Sequence, residues 1–324
     1  MKVIKFEEFG GPEVLKWSDA EKPQPRNGEV LIEVKSSGIN YADTARREGQ
    51  YVVPTTLPYV PGSEVAGVIL ETGSEVRNFS KGQRVVALIE SGGYSQYAAV
   101  DERVLTPIPD NVDFDQAVAL PLQGLSAYHI LKTMGRLELG ESVLIHAAAG
   151  GVGAIAVQLA KIFGAGKIIA TASTDEKLAH AKKMGATHVV NYSEEGWVEK
   201  VKEITEGKGV DVALEMVGGD VFNQTVKCLA PFGRLVIFGA ASGQQATFNP
   251  GQLMRKNQSV IGFFLPQIMR NQELFQQSFE ELLGYMASGQ LTLTIGGSYP
   301  LEEAARAHQM LQGRKTIGKL VLKP

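Results

Sequence analysis

Seven residues, Ala147-Ala148-Ala149-Gly150-Gly151-Val152-Gly153, form the stretch of this chain best suited to chemistry. They follow the apolar run Val143-Leu144-Ile145-His146 and open into a second apolar run over 152–163. That order reads as strand, glycine turn, helix. Small side chains let a backbone approach a pyrophosphate, and a helix N-terminus offers unpaired N–H groups and a positive dipole end. Ala149, Gly150, Gly151 and Val152 are the positions expected to face such a group. The plain alternative is an ordinary strand-to-helix turn. The further strand–helix units that follow favour nucleotide binding.

The residues beyond the turn bear on which nucleotide is taken. Folds that bind the unphosphorylated dinucleotide place an acidic residue about 20 residues past the glycine motif, on the ribose hydroxyls. Here that region is Ala172-Ser173-Thr174, with no carboxylate at the strand tip. Ser173 can donate to a 2′-phosphate, and Lys177 follows one helical turn later on the same side. The pattern predicts NADPH in preference to NADH. Ser173-Thr174-Asp175-Glu176 also fits a helix N-cap with a reciprocal glutamate, leaving Lys177 solvated. The cap and the phosphate site can share residues.

Other chemistry is sparse. The single cysteine, Cys228, excludes an intrachain disulfide and a multi-thiolate zinc site, and reads as a buried structural thiol. Five histidines are scattered, and His146 reads as part of the strand before the glycine turn. No Ser/His/Asp or Cys/His constellation stands out, and no metal site is expected.

At 324 residues the chain exceeds what one core usually serves, so two domains are expected. An apolar content of 44% and a charged content of 21% describe an ordinary globular protein. With a net charge of −3 and both signs intermixed, nothing would draw nucleic acid or an anionic membrane. No segment approaches the ~20 apolar residues that span a bilayer. The opening Met1-Lys2-Val3-Ile4-Lys5 reads as a charged strand without a signal peptide's apolar core, so a cytoplasmic location is expected.

The elements fall into two regimes. Residues 1 to about 122 read as short strands, at 30–34, 65–70, 84–89 and 94–100, broken by glycine and proline turns. From about 123, strands at 143–146, 167–172, 188–191, 210–216, 234–239 and 259–263 alternate with helices at 152–163, 175–184, 195–205 and 220–229. Six strands so arranged predict an α/β, doubly wound Rossmann domain with ligand at the carboxyl ends of the strands. The tail holds helical stretches at 273–288 and 301–312 and a last strand at 318–322, and is expected to return to the first domain. The expected division is therefore 123–265 for the dinucleotide-binding domain, with 1–122 and 266–324 together forming a discontinuous β-rich domain.

An ordered series of segments resembles the zinc-free branch of the medium-chain dehydrogenases/reductases, specifically the quinone oxidoreductases. It comprises Gly38-Ile39-Asn40-Tyr41-Ala42-Asp43, Pro61-Gly62-Ser63-Glu64-Val65-Ala66-Gly67 and Gly82-Gln83-Arg84-Val85. It continues with Gly124-Leu125-Ser126-Ala127-Tyr128, the run from His146 to Gly153, Lys183-Met184-Gly185-Ala186, Asp211-Val212-Ala213 and Gly318-Lys319. The resemblance implies that the β-rich domain is GroES-like and catalytic. Zinc-dependent relatives carry cysteine where this chain has Asn40 and histidine where it has Ser63, and neither replacement holds zinc well. They also carry a four-cysteine lobe that is missing here.

The implied activity is an NADPH-dependent reduction of a quinone or electron-poor enone, in which the nicotinamide carries the chemistry and no metal is required. Asn40 would lie by the nicotinamide end, and Tyr51 would line the acceptor pocket and donate to a carbonyl oxygen as charge develops. Against these stand a turn residue for Asn40 and a packed aromatic for Tyr51. Asp43 reads as a structural hydrogen-bonder, and Ala45 replaces a tyrosine common in the family. Tyr192 is the family's other contact near the 2′-phosphate, and Val217 belongs to the implied cofactor site. Phe238, Gly239 and Ala240 resemble the cofactor-covering loop, while Phe263 and Phe264 resemble backbone contacts to the carboxamide, with core packing as the alternative for their rings. Gln123, Arg314 and Lys319 complete the implied contacts, surface charge being the alternative for the last two.

Two other readings stay open: an enoyl-thioester or alkenal reductase of the same family, and a non-catalytic cofactor-binding protein of structural or RNA-associated type. The apolar run Ser259-Val260-Ile261-Gly262-Phe263-Phe264-Leu265 would form an uncovered sheet edge and predicts a homodimer, unless the tail helices cover it.

Overall fold

The computed structural model describes residues 1–324, which divide into two compact units, Met1–Leu122 with Leu293–Pro324, and Gln123–Thr292. The second unit is built on a six-stranded parallel sheet. Across it the order is His188–Asn191, Lys167–Ala172, Ser142–Ile145, Val210–Glu215, Leu229–Ile237 and Ser259–Gly262. Numbered along the chain this is 3-2-1-4-5-6, the order of a complete dinucleotide-binding fold, with its reversal between the first and fourth strands. The central strands are buried on both faces, which explains their nearly continuous valine, leucine, isoleucine and alanine content.

Helices cross between these strands where the hydrophobic spacing expects them: Gly151–Ile162, Asp175–Met184, Trp197–Ile204 and Gly219–Cys228. Thr174 starts the second of them by accepting the Lys177 N–H, and Gly185, at φ 115°, ends it in the left-handed region that glycine tolerates. The third is shorter than expected because Gly196, at φ 80°, turns the chain just before Trp197.

His146 is a core residue, as its strand context suggests. Its ring nitrogens lie 2.8 Å from the hydroxyls of both Thr171 and Thr225, and its ring meets Trp197 edge-on at 5.5 Å. Burial pulls its pKa from 6.5 down to about 4. Cys228 is buried too, and burial pushes its thiol up to about 12, which removes the thiolate a nucleophile needs.

The second unit runs on to Thr292, past the residue 265 expected of it. Helix Gln272–Ala287 is the reason. Tyr128 donates to Glu281 at 2.9 Å, and His129 Nε2 pairs with Ser278 at 3.1 Å. Gln158 then fixes the exit, accepting the Thr292 N–H at 3.0 Å and donating to its carbonyl at 3.0 Å.

The first unit carries a seven-stranded sheet. Its path is Ile295–Pro300, Lys319–Lys323, Glu29–Ile39, Glu64–Thr72, Arg84–Leu88 and Leu105–Pro107, with Tyr97–Asp101 also paired to Glu29–Ile39. The return of the tail, which spacing left unproven, is a ladder: Leu320 pairs with Ile39 and Val321 with Gly38, antiparallel. Between Glu29–Ile39 and Glu64–Thr72 the chain forms a short helix, Tyr41–Arg47, in a stretch where the sequence pattern predicts only short strands and turns.

A buried neutral histidine makes stability depend on pH. The unfolded chain protonates His146 below about 6.5, whereas the folded chain resists until about 4, so this stabilisation is present at neutral pH and lost as pH falls through that window. His146→Gln should therefore lose about 2 kcal/mol less stability than the parent between pH 7.5 and pH 5, in urea unfolding followed by Trp197 fluorescence. Equal losses in the two proteins would mean that His146 is not held neutral.

Candidate functional site

Two clusters of functional side chains form, one in each unit. In the second unit the strands end together at one edge, as a parallel sheet requires. Gly150 is the N-cap of helix Gly151–Ile162 and supplies no side-chain cap, so the first-turn N–H groups are left to a ligand. The turn tolerates only small residues. A Cβ on Gly153 would strike the Ala147 carbonyl, and one on Gly151 would strike the side chain of Gln123. Gln123 itself is 9% exposed, and its Oε1 has no hydrogen-bond partner within the protein. An uncapped helix end and a backbone cradle together fit a phosphate group, while the orphaned Gln123 oxygen, which can only accept, fits a hydroxyl donor on the same ligand.

The neighbouring strand tips continue this edge. Ser173 is half-buried directly after Lys167–Ala172, and because Thr174 does the capping, the Ser173 hydroxyl is not committed to it. Lys177 is half-buried one turn along. Tyr192 donates its N–H to Ala172 at 3.2 Å, which sets it beside Ser173, and its ring lies 6.4 Å from His146. On the other side of the reversal, Phe238 N–H donates to the Glu215 carbonyl at 3.0 Å and Phe263 N–H to Ile237 at 2.9 Å. Gly239 and Ala240 are exposed, Val217, Phe238, Phe263 and Phe264 are half-buried, and Ala149 is buried. Ser173, Tyr192, Val217, Phe238 and Phe263 thus each follow the carboxyl end of a strand of the one parallel sheet.

Glu215 is an addition that the sequence reading missed. It is fully buried at the end of the fourth strand, where one carboxyl oxygen accepts the N–H groups of Val217 and Gly218 at 2.7 and 3.0 Å. Its other oxygen has no partner, and burial raises its pKa. An acidic residue closing an apolar strand, Val210-Asp211-Val212-Ala213-Leu214-Glu215, was the available signal.

In the first unit Asn40 caps helix Tyr41–Arg47 and sits at the centre of a buried polar cluster. Its Oδ1 accepts from Lys319 Nζ at 2.7 Å and its Nδ2 donates to Glu64 Oε2 at 2.7 Å. Lys319 and Glu64 are ion-paired with each other, and the three residues are 3%, 1% and 0% exposed for Asn40, Lys319 and Glu64. The second oxygen of Glu64 accepts the Leu122 N–H at 2.6 Å. The sheet register sets this up, since Leu320 pairs with Ile39 and so brings Lys319 level with Asn40. Gly38 is required beside it: a Cβ there would run into the Glu64 carboxylate and stand 2.8 Å from Lys319 Cε.

A second hydrogen-bonded chain leaves the same helix. Asp43 accepts the Asn40 N–H at 2.8 Å and the Tyr94 hydroxyl at 3.3 Å, which agrees with a structural role for it. Tyr94 meets His308 Nε2 at 3.0 Å, and Arg47 meets His308 Nδ1 at 3.1 Å. A guanidinium cannot accept, so Nδ1 must be the acceptor, and Nε2–H donates to Tyr94. Burial pushes Asp43 up to about 6 against the pull of the Asn40 N–H and the Lys319 ammonium. Burial and Arg47 hold His308 down at about 3, so it stays neutral.

Tyr51 is half-buried with its ring 4.2 Å from the Arg46 guanidinium, and burial raises its phenol pKa. Arg314 is exposed just past helix Ala304–Gln312, at φ 55°. Ser63 points its hydroxyl at the Glu90 carbonyl, 3.5 Å away. No group of three or more His, Cys, Asp or Glu side chains is arranged to hold a metal ion.

Comparison with known proteins covers both units. Residues 26–110 match the family described as alcohol dehydrogenase GroES-like domain, and residues 151–288 match the one described as zinc-binding dehydrogenase. A quinone oxidoreductase of Pseudomonas aeruginosa is 39% identical over 325 residues, covering 100% of this chain and 99% of that one. The human quinone oxidoreductase is 37% identical, covering 99% of this chain and 97% of its own. The crystal structure of Escherichia coli quinone oxidoreductase complexed with NADPH is 38% identical and superposes with a TM-score of 0.95, with full coverage of both chains.

Proposed function

Since the chain belongs to the quinone oxidoreductase family of medium-chain dehydrogenases/reductases, we propose that it is an enzyme that reduces quinones with NADPH and without a metal. The observation that carries this reading is the uncapped N-terminus of helix Gly151–Ile162 at the sheet reversal, with the tip of the neighbouring strand Lys167–Ala172 offering Ser173 and no carboxylate. Bound there, NADPH supplies a hydride from its nicotinamide ring.

The chain's own contribution is holding and shielding. The first-turn N–H groups and the backbone of Ala149 to Val152 take the pyrophosphate, with Gln123 at its side. Ser173, Lys177 and Tyr192 take the 2′-phosphate. Val217, Phe238, Gly239 and Ala240 cover the nicotinamide half, Phe263 and Phe264 offer backbone groups to the carboxamide, and Arg314 adds positive charge. Orientation of this kind can contribute roughly 7–11 kcal/mol toward the barrier of a bimolecular step. Asn40 and Tyr51 serve the reacting ends, Tyr51 donating to the carbonyl oxygen of the acceptor as negative charge gathers there.

Metal-independence is supported by Asn40 and Ser63, since an amide committed to Lys319 and Glu64 is no zinc ligand. Reduction of enones or enoyl thioesters by the same site is the second reading, because their conjugated carbonyl asks the same of Tyr51. A cytoplasmic setting is part of the proposal, in keeping with one free thiol and no helix long and apolar enough to cross a membrane. Ser259–Gly262 is the half-buried outermost strand of its sheet, which supports a homodimer built by pairing that edge across a two-fold axis.

Three measurements test this. The purified protein should bleach NADPH absorbance with 9,10-phenanthrenequinone or 1,4-benzoquinone, before and after dialysis against chelator. Stoichiometric zinc whose removal abolished turnover would refute the metal-free reading. Light scattering should return a dimer mass at micromolar concentration, and a monomer would remove the edge-pairing argument. Lys177→Ala should weaken NADPH binding by about ten- to a hundredfold, the loss of one charge-assisted hydrogen bond, and leave NADH nearly unchanged. Equal losses for both cofactors would reassign Ser173 and Lys177.

A further inference from the structure

We infer that Glu64 and Lys319 are positioning residues whose task is to set the direction of the Asn40 carboxamide. An ammonium can only donate and a carboxylate can only accept. The Lys319 contact to Oδ1 and the Glu64 contact to Nδ2 therefore leave the amide one orientation, and it cannot turn over. Nδ2 has two hydrogens and Glu64 takes one, so the other faces away from the carboxylate and gives Asn40 a donor for a carbonyl oxygen. Reversed, the same amide would turn its oxygen toward that position and repel a carbonyl.

A lysine and a glutamate at 1% and 0% exposure contribute less to stability than their contact suggests, because both leave water to meet. The chain nevertheless brings them together across 255 residues and keeps Gly38 bare to admit them. Glu64 is tied at its far oxygen to the Leu122 N–H, so its carboxylate cannot swing. Asn40 is tied at its backbone to Asp43.

This inference rests on the role assigned to Asn40 in the proposed function, and the carbonyl served is that of the quinone or of the nicotinamide carboxamide. The double substitution Glu64→Gln with Lys319→Met separates orientation from packing. The new amide must turn its oxygen to the Leu122 N–H and its NH2 toward Asn40, which then answers with Oδ1 and is reversed. Because both charges go together, no unpaired ion is left buried, and the melting temperature should stay within about 5 °C of the parent.

With NADPH saturating, kcat for the quinone should fall by about tenfold or more. A raised Kd for NADPH identifies the carboxamide as the carbonyl served, and an unchanged one identifies the quinone. Asn40→Ala should cost a similar factor in the parent and almost nothing further in the double variant. A full additional loss, or a double variant with parental kcat, would overturn the inference. The Asn40 side-chain amide gives a readout independent of turnover. In 15N-asparagine-labelled protein its hydrogens should exchange slowly and the signal should move in the double variant. If that signal moves while the parent reduces no quinone, the positioning stands and the functional reading falls; an unmoved signal removes the positioning.

Discussion

An ammonium and a carboxylate held out of water constrain how the strands of the first unit are arranged. Lys319 and Glu64 are 1% and 0% exposed, and an isolated buried ion is several kcal/mol uphill. Each therefore presupposes everything that delivers the other. The ladder between Glu29–Ile39 and Lys319–Lys323 must be in register, Gly38 must lack a side chain, and Glu64 must begin the strand that pairs with the other edge of Glu29–Ile39. A register slip of one residue would turn Lys319 to the opposite face of the sheet. The amide of Asn40 takes its direction from this pair, and the helix Tyr41–Arg47 takes its start from Asn40.

The second unit solves a different problem with backbone rather than charge. Its ligand edge is made of strand ends, N–H groups and glycines, and the side chains that matter, Gln123 and Glu215, are buried amide and carboxyl groups each with an oxygen left over. Such orphaned atoms are expensive in a finished core. Gln123 lies against the glycine turn, where a phosphorylated ligand would change its surroundings. A side chain at Gly153 would meet backbone, the Ala147 carbonyl, whereas removing Glu64 or Lys319 singly would leave the other ion buried without its partner.

Much of this was legible in the sequence because it is local. The strand at 188–191 and the helix at 175–184 stand where hydrophobic spacing placed them, and the glycine turn announces itself by composition. Long-range partnerships were not legible. Glu64 and Lys319 each fall in a segment that carries the family resemblance, but nothing in either segment says that the two side chains meet across 255 residues. The helix after Asn40 was hidden because its seven residues, Tyr41 to Arg47, are too few for an amphipathic pattern to show. The extension of the second unit to Thr292 depends on contacts made by Tyr128, His129 and Gln158, residues whose own neighbourhood says nothing of a distant helix.

The ladder of the tail onto Glu29–Ile39 also sets an order of assembly. A chain grows from its N-terminus at about 5–20 residues per second, so the whole of 123–292 leaves the ribosome before Lys319 does. The second unit has all its strands by then and can close by itself. The first has most of its sheet but lacks two strands and the one cation that makes Glu64 acceptable in its interior. Through that interval Glu64 has no ion-pair partner, and Ser37 to Ile39 have no strand on the side that the tail later covers. The unit that begins the chain is thus the one whose sheet can be completed only by the end of it.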